Sequence, residues 1–163
     1  MDDFSVDGGI APMVPELLVI DFDRSLHFWV EILGFQVQFQ REKYAYMRLG
    51  RVEFMIAQAN RHWGTGPYVR PLGRGINFQI FVDDPDALAK KLVDSGFPLF
   101  QPVKEVWPTS GHIARGYRQF LVQDPEGYLL RFAKKLGVRP AETDTPPAPP
   151  SDAVTEEDKT GSS

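Results

Sequence analysis

The sequence predicts an α+β fold in which a βαβββ unit is made twice, forming a curled mixed sheet. Two stretches look like copies of one another: Leu18-Val19-Ile20-Asp21 leads into a helical pattern that stops at Gly34-Phe35, and Ile80-Phe81-Val82-Asp83-Asp84 leads into one that stops at Gly96-Phe97. Each copy continues into further strand-like runs. Length and composition fit this plan, since 163 residues with 42% apolar and 12% aromatic side chains can bury one good core.

In the first copy, Val14 to Ile20 reads as a strand, and Asp21 or Asp23 can cap the helix that follows. Its apolar positions Leu26, Trp29 or Val30, and Leu33 recur at helical spacing, and Gly34 supplies the left-handed stop. Phe35 to Phe39 alternates apolar residues with Gln, as a half-buried strand does. Tyr44 to Leu49 and Val52 to Ala57 flank Gly50-Arg51, a two-residue hairpin turn. The second copy places a strand at Ile76 to Val82, a helix at Pro85 to Asp94 and a strand at Leu99 to Val103. A hairpin of Tyr117 to Val122 and Tyr128 to Ala133 then turns through Asp124-Pro125-Glu126-Gly127. The modules are thus 13–58 and 76–136 within a domain spanning 13–137. The connection from Gln58 to Gly75, with four Gly, two Pro, Trp63 and Tyr68, is long enough to carry function.

Residues 1–12 read as a loose arm and 138–163 as a disordered acidic tail, because the tail lacks the apolar residues needed to offset its ordering entropy. The formal charge of -4 resides in that tail, which holds two basic and six acidic residues; the body keeps 16 of each sign. A neutral body gives no basic field for nucleic acid. No apolar run approaches the length of a membrane span, and the start lacks the regions of a signal peptide. Cysteine is absent, which suits the cytoplasm, the expected location.

Val19-x-Asp21-x-x-x-Ser25-Leu26-x-Phe28-Trp29-x-x-x-Leu33-Gly34-Phe35, with Asp124-Pro125-Glu126-Gly127-Tyr128-Leu129-Leu130-Arg131-Phe132, resembles the vicinal oxygen chelate superfamily, the glyoxalase/bleomycin resistance protein fold. Within it the chain is most similar to the bleomycin resistance proteins. The resemblance covers about Met13 to Leu136. Enzymes of that superfamily hold a divalent metal at one position in each of four strands, and the matching positions here are Val14, Met55, Asn77 and Arg131. Valine has no donor atom and a guanidinium repels a cation, so neither metal nor other cofactor is expected. His27, His62 and His112 fall on a helix surface or in loops and do not restore a ligand set.

If those positions mark a concave face, alternation places Val14, Glu16, Leu18, Ile20, Glu53, Met55, Ala57, Asn77, Gln79, Phe81, Leu129 and Arg131 on it. Leu17, Val19, Phe54, Ile56, Phe78, Ile80, Val82, Leu130 and Phe132 then fall on the opposite face. Polar groups interrupting hydrophobic strands cost on the order of 1 to 3 kcal/mol each when buried unpaired. They therefore meet a ligand, are solvated, or close their own ion pairs, for example Arg131 with Glu16 or Glu53. The ligand-binding set expected from this face and its aromatic rim is Glu16, Phe39, Tyr46, Glu53, Met55, Trp63, Asn77, Gln79, Phe81, Trp107, Tyr117 and Arg131. Tyr44 and Tyr68 join the rim.

The resemblance implies a homodimer with paired grooves that sequesters a bleomycin-type antibiotic without chemistry, Glu16 and Glu53 attracting its cationic amine and the aromatics its bithiazole. One departure stands out: relatives commonly show Trp-Gly before the Arg-x-Phe of the seventh strand, where this chain has Gly116-Tyr117-Arg118-Gln119-Phe120. Two alternatives stay open: a metal-independent enzyme using Glu16, Glu53 or a loop His as base, and a binding or sensor protein for another small molecule.

Overall fold

The structure is a computed structural model that describes residues 10–60, 62 and 64–141. Trp63, residues 1–9 and the acidic tail beyond Ala141 lie outside the described residues. The elements run β1 (Glu16–Val19), α1 (Phe22–His27), a π-helical turn (Phe28–Ile32), β2 (Gln36–Arg41), β3 (Tyr44–Leu49), β4 (Val52–Gln58), β5 (Asn77–Phe81), α2 (Pro85–Asp94), β6 (Leu99–Val106), β7 (Thr109–Ser110), β8 (Ile113–Gln123) and β9 (Leu129–Pro140). Two sheets result, ordered β1-β4-β3-β2 and β5-β9-β8-β6, with the short β7 paired to β8. In each sheet the strand before the helix pairs parallel with the last strand of its module, and the remaining pairings are antiparallel. None of the described helices is long and apolar enough to cross a membrane.

Local chemistry sets the helix ends. Asp21, rather than Asp23, caps α1 by accepting from Arg24 N at 3.1 Å, and Asp84 caps α2 by accepting from Ala87 N at 2.9 Å. Gly34 and Gly96, at φ +83 and +85, end the two helical segments. The π turn, with Leu33 N bonded to Phe28 O at 3.0 Å, was not legible from apolar spacing. It belongs to a stretch in which the neighbours Phe28 and Trp29 are both fully buried.

Strand alternation sorts the faces as the sequence predicts. Leu17, Val19, Phe54, Ile56, Ile80, Leu130 and Phe132 are all at most 4% exposed. They share one core with residues of both modules: the Phe54 ring lies 5.0 Å from Trp29 and 5.0 Å from Phe78, and Phe28 lies 4.7 Å from Phe97. Burying each such ring contributes about 1.5–3 kcal/mol, so the modules are welded by side chains as well as by sequence.

The Asp124-Pro125-Glu126-Gly127 turn adds a polar fastener. Asp124 Oδ1 accepts from the backbone N–H groups of Glu126 and Tyr128 at 3.0 and 2.8 Å. Glu126, fully buried, accepts from Asp21 N at 2.9 Å and from Arg70 Nε and Nη2 at 3.0 and 2.9 Å. Tyr128 donates its hydroxyl to the carbonyl of Leu18 at 2.9 Å. One turn of the second module thereby grips β1, the start of α1 and the long connection. The Trp29 indole N–H and Asp124 Oδ2 are both buried and find no hydrogen-bond partner among the described residues. Burial dominates and pushes the Asp124 pKa up to about 6.

The β8–β9 hairpin is longer than alternation suggests. It pairs from Gln123 and Leu129 out to Ile113 and Pro140, so Val138, Arg139 and Pro140 belong to a strand rather than to the tail read as starting at 138. A register shift between Gly116 and Tyr117 breaks the alternation there, which is why a periodicity reading stops near Ala133.

Candidate functional site

The chain presents two open sheet faces that carry the expected site residues. On the first sheet, Glu16 lies opposite Met55, Tyr46 opposite Met55, and Arg48 opposite Glu53, so these side chains share a face. Glu53 is 5% exposed. One carboxylate oxygen accepts from Arg48 Nε at 2.9 Å and from Arg48 Nη2; the other accepts from the Tyr46 hydroxyl and from Ala11 N at 2.7 Å. Burial raises its pKa, but the bonds from Tyr46, Ala11 and Arg48 outweigh it, and the carboxyl sits below its ordinary value. Nearby, Tyr44 donates to Met55 Sδ at 2.8 Å, Arg41 stands 4.6 Å over the Tyr44 ring, and Phe39 is exposed at the rim. Burial pushes both the Tyr44 and Tyr46 phenols up, so both stay neutral hydrogen-bond donors.

The second sheet holds a groove of about 640 Å³. Its polar lining is Gln79, Gln119 and Arg131, and its flat and apolar lining is Val106, Trp107, Pro108 and Tyr117. Register explains the convergence: Gln79 pairs with Arg131, Leu121 with Arg131 and Val106 with Tyr117, so β5, β9, β8 and β6 each contribute to one face. Trp107 is held in place from two sides. Its ring packs on Gly116, where a Cβ would come within 2.5 Å, and the Arg139 guanidinium stands 4.2 Å over it. A second depression continues past Tyr117 to Phe81, Lys135 and Arg115. Phe81 lies 6.3 Å from Tyr117, with Lys135 4.7 Å over its ring.

The expected residues thus divide. Gln79, Trp107, Tyr117 and Arg131 meet in the groove, with Phe81 in the adjoining depression, and Asn77 is exposed on the same face of β5. Glu16, Phe39, Tyr46, Glu53 and Met55 lie on the first sheet, and Trp63 falls outside the described residues. The pairing suggested for Arg131 with Glu53 is replaced by Arg48, its direct cross-strand neighbour. Sequence reasoning missed Arg48 and Gln119. Gln119 shares Tyr117's alternation and is nearly buried, a signal of the same kind that singled out Gln79.

The superfamily's metal does not fit these residues. Val14 offers no donor, the Met55 sulfur already takes the Tyr44 hydroxyl, and Arg131 brings a positive charge. Among the described residues no group of three or more His, Asp or Glu is placed to hold an ion. His27, His62 and His112 are exposed, and none lines the groove.

The sequence profile described as the glyoxalase/bleomycin resistance protein/dioxygenase superfamily matches residues 10–132. No curated protein matches the chain significantly. Among solved structures, TioX from Micromonospora sp. ML1 is similar, at 24% identity, a TM-score of 0.60, and coverage of 77% of this chain and 99% of that one. A protein of unknown function from Agrobacterium tumefaciens str. C58 gives 21% identity and a TM-score of 0.59 over 81% and 98% of the two chains. A glyoxalase/bleomycin resistance protein/dioxygenase from Alicyclobacillus acidocaldarius gives 16% and 0.56 over 80% and 96%. At such identities these likenesses carry the fold alone.

Proposed function

We propose that this chain, which belongs to the glyoxalase/bleomycin resistance protein/dioxygenase superfamily, is a binding protein that sequesters a flat small molecule without chemistry. The observation that carries the reading is the second-sheet groove, where Trp107 and Tyr117 offer ring faces beside the hydrogen-bonding groups of Gln79, Gln119 and Arg131. Its volume suits a drug-sized ligand. No base is poised there: the lining contains no Asp, Glu or His.

A bleomycin-type antibiotic is the ligand to test first. Its bithiazole would stack in the groove, and of the two acids expected to attract its cationic amine, Glu16 is exposed and available whereas Glu53 is already saturated by four donors. We also propose that two copies assemble with twofold symmetry, the first sheet of one protomer facing the second sheet of its partner. Exposed Phe39 and Phe81, at 55% and 47%, support this by lying on the two faces that such an assembly would cover.

Calorimetric titration with bleomycin tests the reading. Saturable binding that Trp107→Leu weakens by about tenfold, without a change in melting temperature, supports it. Absence of heat and of thermal stabilisation at millimolar bleomycin removes the bleomycin ligand. Light scattering that gives the mass of one chain at micromolar concentration removes the dimer.

A further inference from the structure

Arg131 is a cation without a partner among the described residues. It lies half-buried on the central strand of the second sheet, its Nε is shut off from solvent, and among the described residues it donates no hydrogen bond and makes no ion pair. Three other guanidiniums are treated differently: Arg48, Arg70 and Arg118 each pair with a carboxylate. A partly desolvated guanidinium costs free energy unless an acceptor meets its planar fork. The groove around it provides none, because Gln79, Gln119 and Tyr117 bring neutral groups that can only share acceptor atoms weakly.

The adjoining depression extends the same imbalance. Past Tyr117 it adds Arg115 and Lys135, and neither its lining nor that of the groove contains a carboxylate. Lys135 is partly answered by the Phe81 ring, over which its ammonium stands at 4.7 Å. Among the described residues Arg131 has no such contact. The neutral formal charge of the body therefore conceals a local separation: carboxylate Glu53 is neutralised on the first sheet while three cations gather around Tyr117 on the second.

We propose that the groove and the depression beside it form one site for a planar aromatic carboxylate, with the ring system against Trp107 and Tyr117 and the carboxylate on the Arg131 fork. Arg115 and Lys135 set a positive field at the far end, which favours approach of the anion rather than contacting it. This deepens the binding-protein reading by fixing the charge of the ligand, and it rests on that reading. A cationic amine would face the wrong sign at this end, so a drug that carries one would place it toward the exposed Glu16 of the first sheet and not here.

A matched pair of probes tests the charge: anthraquinone-2-carboxylate and anthraquinone-2-carboxamide, alike in shape, titrated into the full chain with Trp fluorescence and calorimetry as readouts. The acid should bind at least tenfold tighter than the amide, and raising the salt from 50 to 500 mM should weaken the acid alone. Arg131→Gln should abolish the preference, bringing acid and amide to within about twofold of one another, while Trp107→Leu should weaken both and keep the preference. Arg131→Lys keeps the charge and loses the fork, so it should retain only part of the preference. If Arg131→Gln fails to fold, the wild-type comparison and Arg131→Lys still decide. Equal affinity for acid and amide overturns the anion assignment and leaves the binding-protein reading standing. Failure of both probes while bleomycin binds also overturns it, and failure of all three removes both.

Discussion

Removing the charge of Glu126 should destabilise the fold more than any single change in the groove. The carboxylate is fully buried and accepts three hydrogen bonds, one from Asp21 N and two from the Arg70 guanidinium. Glu126→Gln keeps the shape but turns an amide N–H₂ toward donors, so at least one buried donor is stranded. Breaking a buried ion pair costs about 3–5 kcal/mol. The Arg70 side chain is 44% exposed and can recover water, which argues for the lower part of that range. The stranded Asp21 N–H adds about 1 kcal/mol. We expect a loss of about 3 kcal/mol, read as a lower urea midpoint with unchanged slope, and a fall of about 10 °C in melting temperature for a domain of this size. Arg70→Ala should show coupling of at least about 1 kcal/mol with Glu126→Gln in a double-mutant cycle. A loss below about 0.5 kcal/mol, or additive effects of the two changes, would refute the view that this turn fastens the modules.

The remaining expectations concern charge, packing and metal. Asp124, with its pKa raised to about 6 by burial, contributes stability that is fully present below its unfolded value and lost as pH rises through about 6; unfolding should therefore show about 1–2 kcal/mol lost between pH 5 and 7.5, and Asp124→Asn should flatten that slope. Glu53 has the opposite sign: its lowered pKa gives stability present above its unfolded value and lost as pH falls through the folded one, so Glu53→Gln should lower the melting temperature at pH 7 and the difference from wild type should shrink steadily as pH falls below the ordinary carboxylate range. Gly116→Ala should force the Trp107 ring away from the β8 backbone, shifting its fluorescence and weakening groove binding; an unaltered spectrum would show that the ring is not seated there. Elemental analysis of purified protein should find no stoichiometric divalent metal, because Val14 and Arg131 stand where ligands would be needed.

What was legible in the sequence followed from period and punctuation. Gly34 and Gly96 marked equivalent stops, and the period of two along the strands sorted Phe54 and Leu130 inward and Gln79 and Arg131 outward. What escaped depended on register between strands. Arg48 and Glu53 face one another only because the hairpin turns at Gly50-Arg51 with that pairing, and a polar residue read alone gives no hint of its cross-strand partner. The same holds for the end of β9, where an extra residue opposite Gly116 and Tyr117 disrupts the pattern and hides the seat of Trp107. The role of Glu126 was hidden by its place in a turn, since composition signals a bend there and says nothing of the buried carboxylate reaching Asp21 and Arg70.

The bond from Ala11 to Glu53 gives the opening stretch of the chain a structural duty. It comes from a segment that precedes every strand, yet it supplies one of four donors to a buried carboxylate. A chain trimmed to start at Val14 would hand that oxygen back to water and loosen the Tyr46 hydroxyl that shares it. The loss would register two strands inward, at Arg48, so length at the N-terminal side tunes the rigidity of the first sheet's open face. A tag or fusion joined in place of that segment would have to supply the donor that Ala11 N gives to the buried Glu53, so its choice is a choice about that face.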